Sequence, residues 1–134
     1  MKYLLMIYVD EAVENAMSEA EMGTLMEGYG RLVEEMEAEG VLQGGERLQQ
    51  VAAATSITSR SGSFAITDGA FAETKEQLGG YILIEAPSLD EAIGWAKKIP
   101  SAIHGTIEVR PIWELDEPPL AESAQADNSV AADS

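Results

Sequence analysis

The sequence predicts an α+β fold in which two βαβ units interleave into one antiparallel sheet with both helices on the same face. A quasi-repeat and two serine-capped helices point to it. The string KYLLMIYV, a helix and VLQGGERL match in pattern the string GYILIEA, a second helix and TIEVRPIW. Two such units joined through a β-hairpin excursion make the ferredoxin-like, split βαβ plan, of the dimeric α+β barrel type once two sheets pack face to face.

Taken in order, residues 2–8 read as a strand because the run is apolar and rich in β-formers. The first long helix follows. Ser18 and Glu21 form an S-x-x-E capping box, and Met22, Leu25, Met26, Tyr29, Leu32, Val33 and Met36 recur on one helical face until Gly40 stops the run. Further strands are expected over residues 41–48, 54–58 and 63–67, the last two joined by Ser59, Arg60, Ser61 and Gly62 as a hairpin turn. A strand over residues 80–86 leads to a second capping box, Ser88 with Glu91, and a shorter helix with Leu89, Ala92, Ile93, Ala96 and Ile99 as its stripe, closed by Pro100. The last strand covers residues 106–113, where Ile107 and Val109 alternate with Glu108 and Arg110 and Pro111 marks an edge or bulge. With Tyr3, Tyr81 and Trp113 on or near strands, a second copy is the expected cover for the free face of the sheet, giving a homodimer.

The 134 residues suffice for one domain, assigned to 1–115, with 116–134 read as a disordered acidic tail that lacks aromatic and basic side chains. Eight Lys plus Arg stand against 24 Asp plus Glu, a net charge of -16. Such a chain repels phosphate backbones, so nucleic acid is excluded as a partner. Without cysteine there is no thiol nucleophile or cysteine metal site, and one histidine cannot make a histidine-rich one. The acids lack EF-hand spacing. No phosphate-binding glycine loop, nucleophile elbow or zinc-protease motif is present, so neither metal nor cofactor is expected. The first apolar run meets Asp10 and Glu11 too soon to span a bilayer, and a cytoplasmic protein is the expectation.

The segment from Thr67 to Tyr81 carries the densest polar chemistry. Asp68 and Gly69 make a turn, Phe71 and Leu78 are apolar anchors, and Gly79 and Gly80 permit close backbone approach. Between them stand Glu73, Thr74, Lys75 and Glu76. Around a small polar ligand these would supply base, hydroxyl and anion holder, and on a solvated turn they would supply none. His104 is the one side chain that ordinarily titrates near neutrality; it would act as acid or base if Asp68, Glu73 or Glu108 oriented it, and is otherwise surface. Arg110 would hold an anion if its strand face lines a cavity, or else pair with an acid such as Glu108. The catalytic candidates are thus Asp68, Glu73 and His104, and the ligand-binding candidates Gly69, Phe71, Thr74, Lys75, Gly79, Gly80 and Arg110.

The strings TDGAFAETKEQLGGYILIEAPSLDEAIGWAKKIP and IEVRPI, with MKYLLMIYVDEA and GGERLQ, resemble the YCII-related family, in the branch marked by DGPFAETKE. The resemblance covers residues 1–113, and Ala70 stands where the signature has proline. It implies a ferredoxin-like fold that dimerises through its sheets, with a ligand site in a cleft of each protomer. In other branches a His–Asp pair, the His on the first helix, is the acid–base dyad, and one branch dehydrochlorinates a hydroxylated aromatic. Here the first long helix contains no histidine, so that dyad is not carried over. The branch is also linked to extracytoplasmic-function sigma factors, which implies a regulatory protein partner as the alternative to cofactor-free proton transfer, isomerisation or elimination on a small metabolite.

Overall fold

The computed structural model describes residues 1–115; the tail expected over 116–134 lies outside them. Strand β1 (Lys2–Val9) alternates strictly, with Tyr3, Leu5, Ile7 and Val9 buried and the residues between them half-buried. Next come a short helix α1 (Glu11–Asn15), the long helix α2 (Glu19–Ala38) and strand β2 (Leu42–Arg47). After a 3-10 turn (Val51–Ala53), strands β3 (Thr55–Arg60) and β4 (Ser63–Asp68) pair with each other alone. Strand β5 (Gln77–Glu85), helix α3 (Leu89–Lys97), a second 3-10 turn (Pro100–Ile103) and strand β6 (Thr106–Pro111) complete the described chain.

The four-stranded sheet has the order β2-β5-β1-β6 with every neighbour antiparallel. This mixed α+β architecture, antiparallel sheets with three helices, is consistent with a ferredoxin-like fold. The core lies between one face of the sheet and helices α2 and α3, where Leu5, Met36, Ile84 and Ile99 are fully enclosed. Tyr3 belongs to this inner face, because it shares its parity with Leu5; of the aromatics expected on the free face, Tyr81 remains there and is half-buried. Trp95 is core, whereas Trp113 is 60% exposed.

Both expected serines cap their helices, Ser18 through the full reciprocal box and Ser88 through its side chain alone. Ser18 Oγ accepts from the Glu21 amide at 3.1 Å while the Glu21 carboxylate accepts from the Ser18 amide at 2.9 Å. Ser88 Oγ accepts from the Glu91 amide at 3.2 Å. At the far end of α2, Gly40 takes φ +74 and the Val41 amide reaches back to the Met36 carbonyl, a Schellman ending. Ser18→Ala is therefore expected to lower the unfolding free energy by about 1 kcal/mol, which urea denaturation followed by far-UV circular dichroism will measure.

Three elements differ from the sequence expectation, each for a physical reason. Helix α1, capped by Asp10, is only five residues long and too short to display a helical period. Strand β5 starts at Gln77 rather than residue 80, because a bulge opposite Ile7 and Tyr8 accommodates Gly79 and lets pairing continue. Helix α2 buries only Leu32 and Met36. Its N-terminal turns stand off the sheet, leaving Leu25, Met26, Tyr29 and Val33 half-buried along a cleft.

Candidate functional site

That cleft, about 390 Å³, lies between α2 and strands β1, β2 and β5. Its helix wall is the half-buried part of the α2 stripe, and its floor carries Gly44, Gly45, Gly79 and Gly80. Two of these glycines are required by the sheet itself. A Cβ on Gly45 would lie 2.8 Å from the Tyr81 carbonyl oxygen, and one on Gly80 would lie 2.8 Å from that of Glu46. The floor is thus backbone at these glycines, between the apolar side chains of Ile7, Val9, Leu42 and Ile82.

Ser101 closes the inner end. It is the one buried polar side chain among the described residues, 5% exposed, and its Oγ accepts from the Tyr29 hydroxyl at 2.7 Å. Helix α2 comes close enough for this bond because residue 28 is glycine: a Cβ there would meet the Pro100 ring at 3.0 Å. The two hydroxyls use one hydrogen in the bond between them, so the pair has a second O–H to offer to the cleft. Glu14 and Arg47 border the same cleft without forming an ion pair with each other. Arg47 donates to the Met26 thioether at 3.9 Å, a weak acceptor.

Burial pushes the Tyr29 phenol above its ordinary value of 10.0; the Ser101 hydroxyl and backbone oppose the shift, Glu14 adds to it and Arg47 opposes it. At neutral pH the group is therefore a donor and not a base. The sign of the linkage follows. The folded state holds the phenol proton more tightly than the unfolded chain, so this stabilisation is fully present below pH 10 and is lost as the pH rises through the higher folded value. Comparing alkaline unfolding of the parent with Tyr29→Phe tests this, and the parent is expected to lose stability more steeply above pH 10.

The sequence candidates fall elsewhere, apart from the two glycines of the floor. Asp68 ends β4 opposite Thr55 and is exposed, as are Glu73, Thr74 and Lys75. None of these four lines the cleft. Gly69, with φ +94, binds back to the hairpin through its amide to the Ala54 carbonyl and its own carbonyl to Ser56 Oγ. Phe71 is 88% exposed, so it does not anchor the loop within the protomer. The loop is instead tied at its end: Thr106 donates to the Glu76 carboxylate at 2.8 Å, and the Glu11 amide donates to the Gln77 side chain at 3.0 Å. Arg110 is held by Glu108 through Nε at 2.9 Å and also through Nη2, the acid pairing open to it in the sequence. His104 is exposed beyond the second 3-10 turn, where it shares a narrow gap with Ser101 and Glu14. No group of three or more His, Asp or Glu able to hold a metal occurs among the described residues.

A larger but open groove of about 880 Å³ runs between α1, α2 and the second 3-10 turn. The smaller cleft is the better candidate because it alone combines apolar walls with the buried Ser101 and the phenol bonded to it.

A YCII-related domain model matches residues 1–116. The chain belongs to the YCII-related family. An uncharacterized protein of Rhizobium meliloti (strain 1021) is 37% identical over 114 residues, which cover 84% of this chain and 92% of that protein. For this YCII-related chain no helix of the described residues is long and apolar enough to cross a membrane. Tyr29, Ser101, Glu14 and Arg47 are absent from the sequence-derived candidates: Tyr29 reads as helix stripe, and Ser101 as loop. The signals that could have found them are a tyrosine flanked by Gly28 and Gly30 in an otherwise aliphatic helix face, and an arginine directly following Gly44, Gly45 and Glu46.

Proposed function

We propose that this YCII-related protein, of the branch marked by the DGPFAETKE string, binds a small apolar-bodied metabolite in the cleft between α2 and the sheet and moves a proton on it without a cofactor. The observation that carries this reading is the bonded pair of Ser101 and Tyr29 hydroxyls, the first of them buried, with one hydrogen left over between them in an apolar cavity. A carbonyl oxygen placed there would accept from Ser101, with the Tyr29 hydroxyl behind it. Glu14 is the carboxylate available to take a proton from the carbon next to that carbonyl. The electron pair then moves onto the oxygen, and return of the proton to another carbon isomerises the ligand, while departure of a neighbouring leaving group makes the step an elimination. Arg47 suits a carboxylate on the same molecule. His104 exchanges the proton with solvent across the gap beside Ser101, and the loop carrying Asp68, Glu73 and Lys75 supports the floor through Gly79 and Gly80.

A thermal-shift screen against keto acids and aryl or alkenyl carboxylates tests the reading, since a ligand at 100 times its Kd stabilises by about 2.7 kcal/mol. The shift should vanish in Arg47→Ala and persist in Lys75→Ala. A shift lost only in Lys75→Ala or Asp68→Asn would move the ligand to the loop and defeat the cleft.

The protein is also proposed to be a cytoplasmic homodimer. Leu4, Met6, Tyr8, Tyr81 and Leu83 are half-buried on the sheet face away from the helices, and a second copy would complete their burial. A second reading, a regulatory module that binds a protein such as a sigma-factor-linked partner, draws support from the exposed Phe71. It predicts no hit in the ligand screen.

A further inference from the structure

Four large apolar side chains stand out of the protomer within one short stretch of chain: Ile57 is 64% exposed, Phe64 72%, Ile66 69% and Phe71 88%. Ile57 and Ile66 are cross-strand partners, and Phe64 shares their face because it lies two residues from Ile66. Exposed apolar side chains grouped in this way mark an interaction surface. The ribbon that carries them pairs with no other strand of the described residues. A two-stranded ribbon alone in water is marginally stable.

The charge pattern identifies what covers it. Residues 47–67 contain no acid and two bases, Arg47 and Arg60, and form the longest acid-free stretch of a chain with 24 acids. A surface that docks on another copy of so acidic a protein has to be free of acids, because like charges brought together in an interface oppose association. The open face of the four-stranded sheet offers the complement: half-buried Met6, Tyr81 and Leu83, with the exposed Glu46 beside Tyr81 as a carboxylate for Arg60.

We infer that the β3–β4 ribbon with Phe71 is an arm that packs across the sheet face of a second copy, each protomer giving its arm to the other about a two-fold axis. The inference rests on the homodimer proposed above and specifies how it is held. Arm residues therefore govern association, and the signature segment that begins at Asp68 takes its position from the partner as well as from its own chain.

Light scattering of the full chain and of the double variant Phe64→Asp, Ile66→Asp tests it, with a thermal melt as a check that these exposed changes leave the fold intact. The expected result is a dimeric parent and a variant whose dimer dissociation constant rises at least about tenfold, the loss of 1.4 kcal/mol or more. A monomeric parent overturns both the dimer and the arm. A dimeric parent with an equally tight variant overturns the arm and leaves the sheet-face dimer standing. As a second measurement, Phe64→Cys protein mixed with Tyr81→Cys protein is treated with a short bismaleimide; the chain has no cysteine of its own, so a cross-linked heterodimer supports the arm and its absence from a dimeric mixture contradicts it.

Discussion

Gly105→Ala is expected to unfold the protein or to lower its stability by more than about 3 kcal/mol, at the upper end of overpacking effects. A Cβ at this position would fall inside the contact distance of the Tyr8 carbonyl oxygen, in the backbone of β1. That strand is central and paired on both sides, to β5 and to β6, so it has no room to give way. The consequence reaches the cleft as well as the core. The Gly105 and His104 amides both donate to the Ser101 carbonyl, at 2.8 and 3.0 Å, and so fix the residue whose hydroxyl meets Tyr29. Urea denaturation gives the free energy. A melt unchanged from the parent would mean that the turn before β6 moves freely and that Ser101 is not rigidly placed.

Ser101→Ala is expected to weaken the binding of any cleft ligand at least about tenfold, because a buried hydroxyl that donates to a ligand oxygen leaves that oxygen unpaired when removed. The change in stability should be smaller, about 1 kcal/mol, since Tyr29 is only half-buried and can turn its hydroxyl toward water. Tyr29→Phe removes the donor instead of the acceptor. In the double variant both partners are gone, and stability should return toward that of the parent while affinity does not. A double-mutant cycle read once by denaturation and once by titration separates the two roles. Equal effects on both would assign the pair to structure alone.

Much of the fold is legible in the residues because its signals are local. The capping serines Ser18 and Ser88, the stop at Gly40 and the apolar run of β1 each report on a few neighbouring residues, and each appears where the pattern places it. The site is not local. Ser101 meets Tyr29 across 72 positions of chain, and the encounter depends on a glycine at 28 that reads, in the helix, only as an unfavourable residue. Charged groups close together in sequence, such as Glu73, Lys75 and Glu76, draw attention first. In the fold Glu73 and Lys75 are exposed and Glu76 is engaged by Thr106, whereas the groups bordering the cleft come from α1, α2, β2 and the second 3-10 turn. Phe71 illustrates the same limit from the other side, because an apolar residue in a loop reads as an anchor whether its cover is its own core or another chain.

The proposed ligand site is the cleft under α2, and not the loop over residues 68–76. Amide chemical-shift mapping of the labelled full chain, titrated with the strongest hit of the carboxylate screen, tests it most directly. The largest shifts are expected on Gly44, Gly45, Arg47, Gly79, Gly80 and Ser101. Shifts confined to Asp68, Gly69, Glu73, Thr74 and Lys75, with Ser101 and Arg47 unmoved, would contradict it.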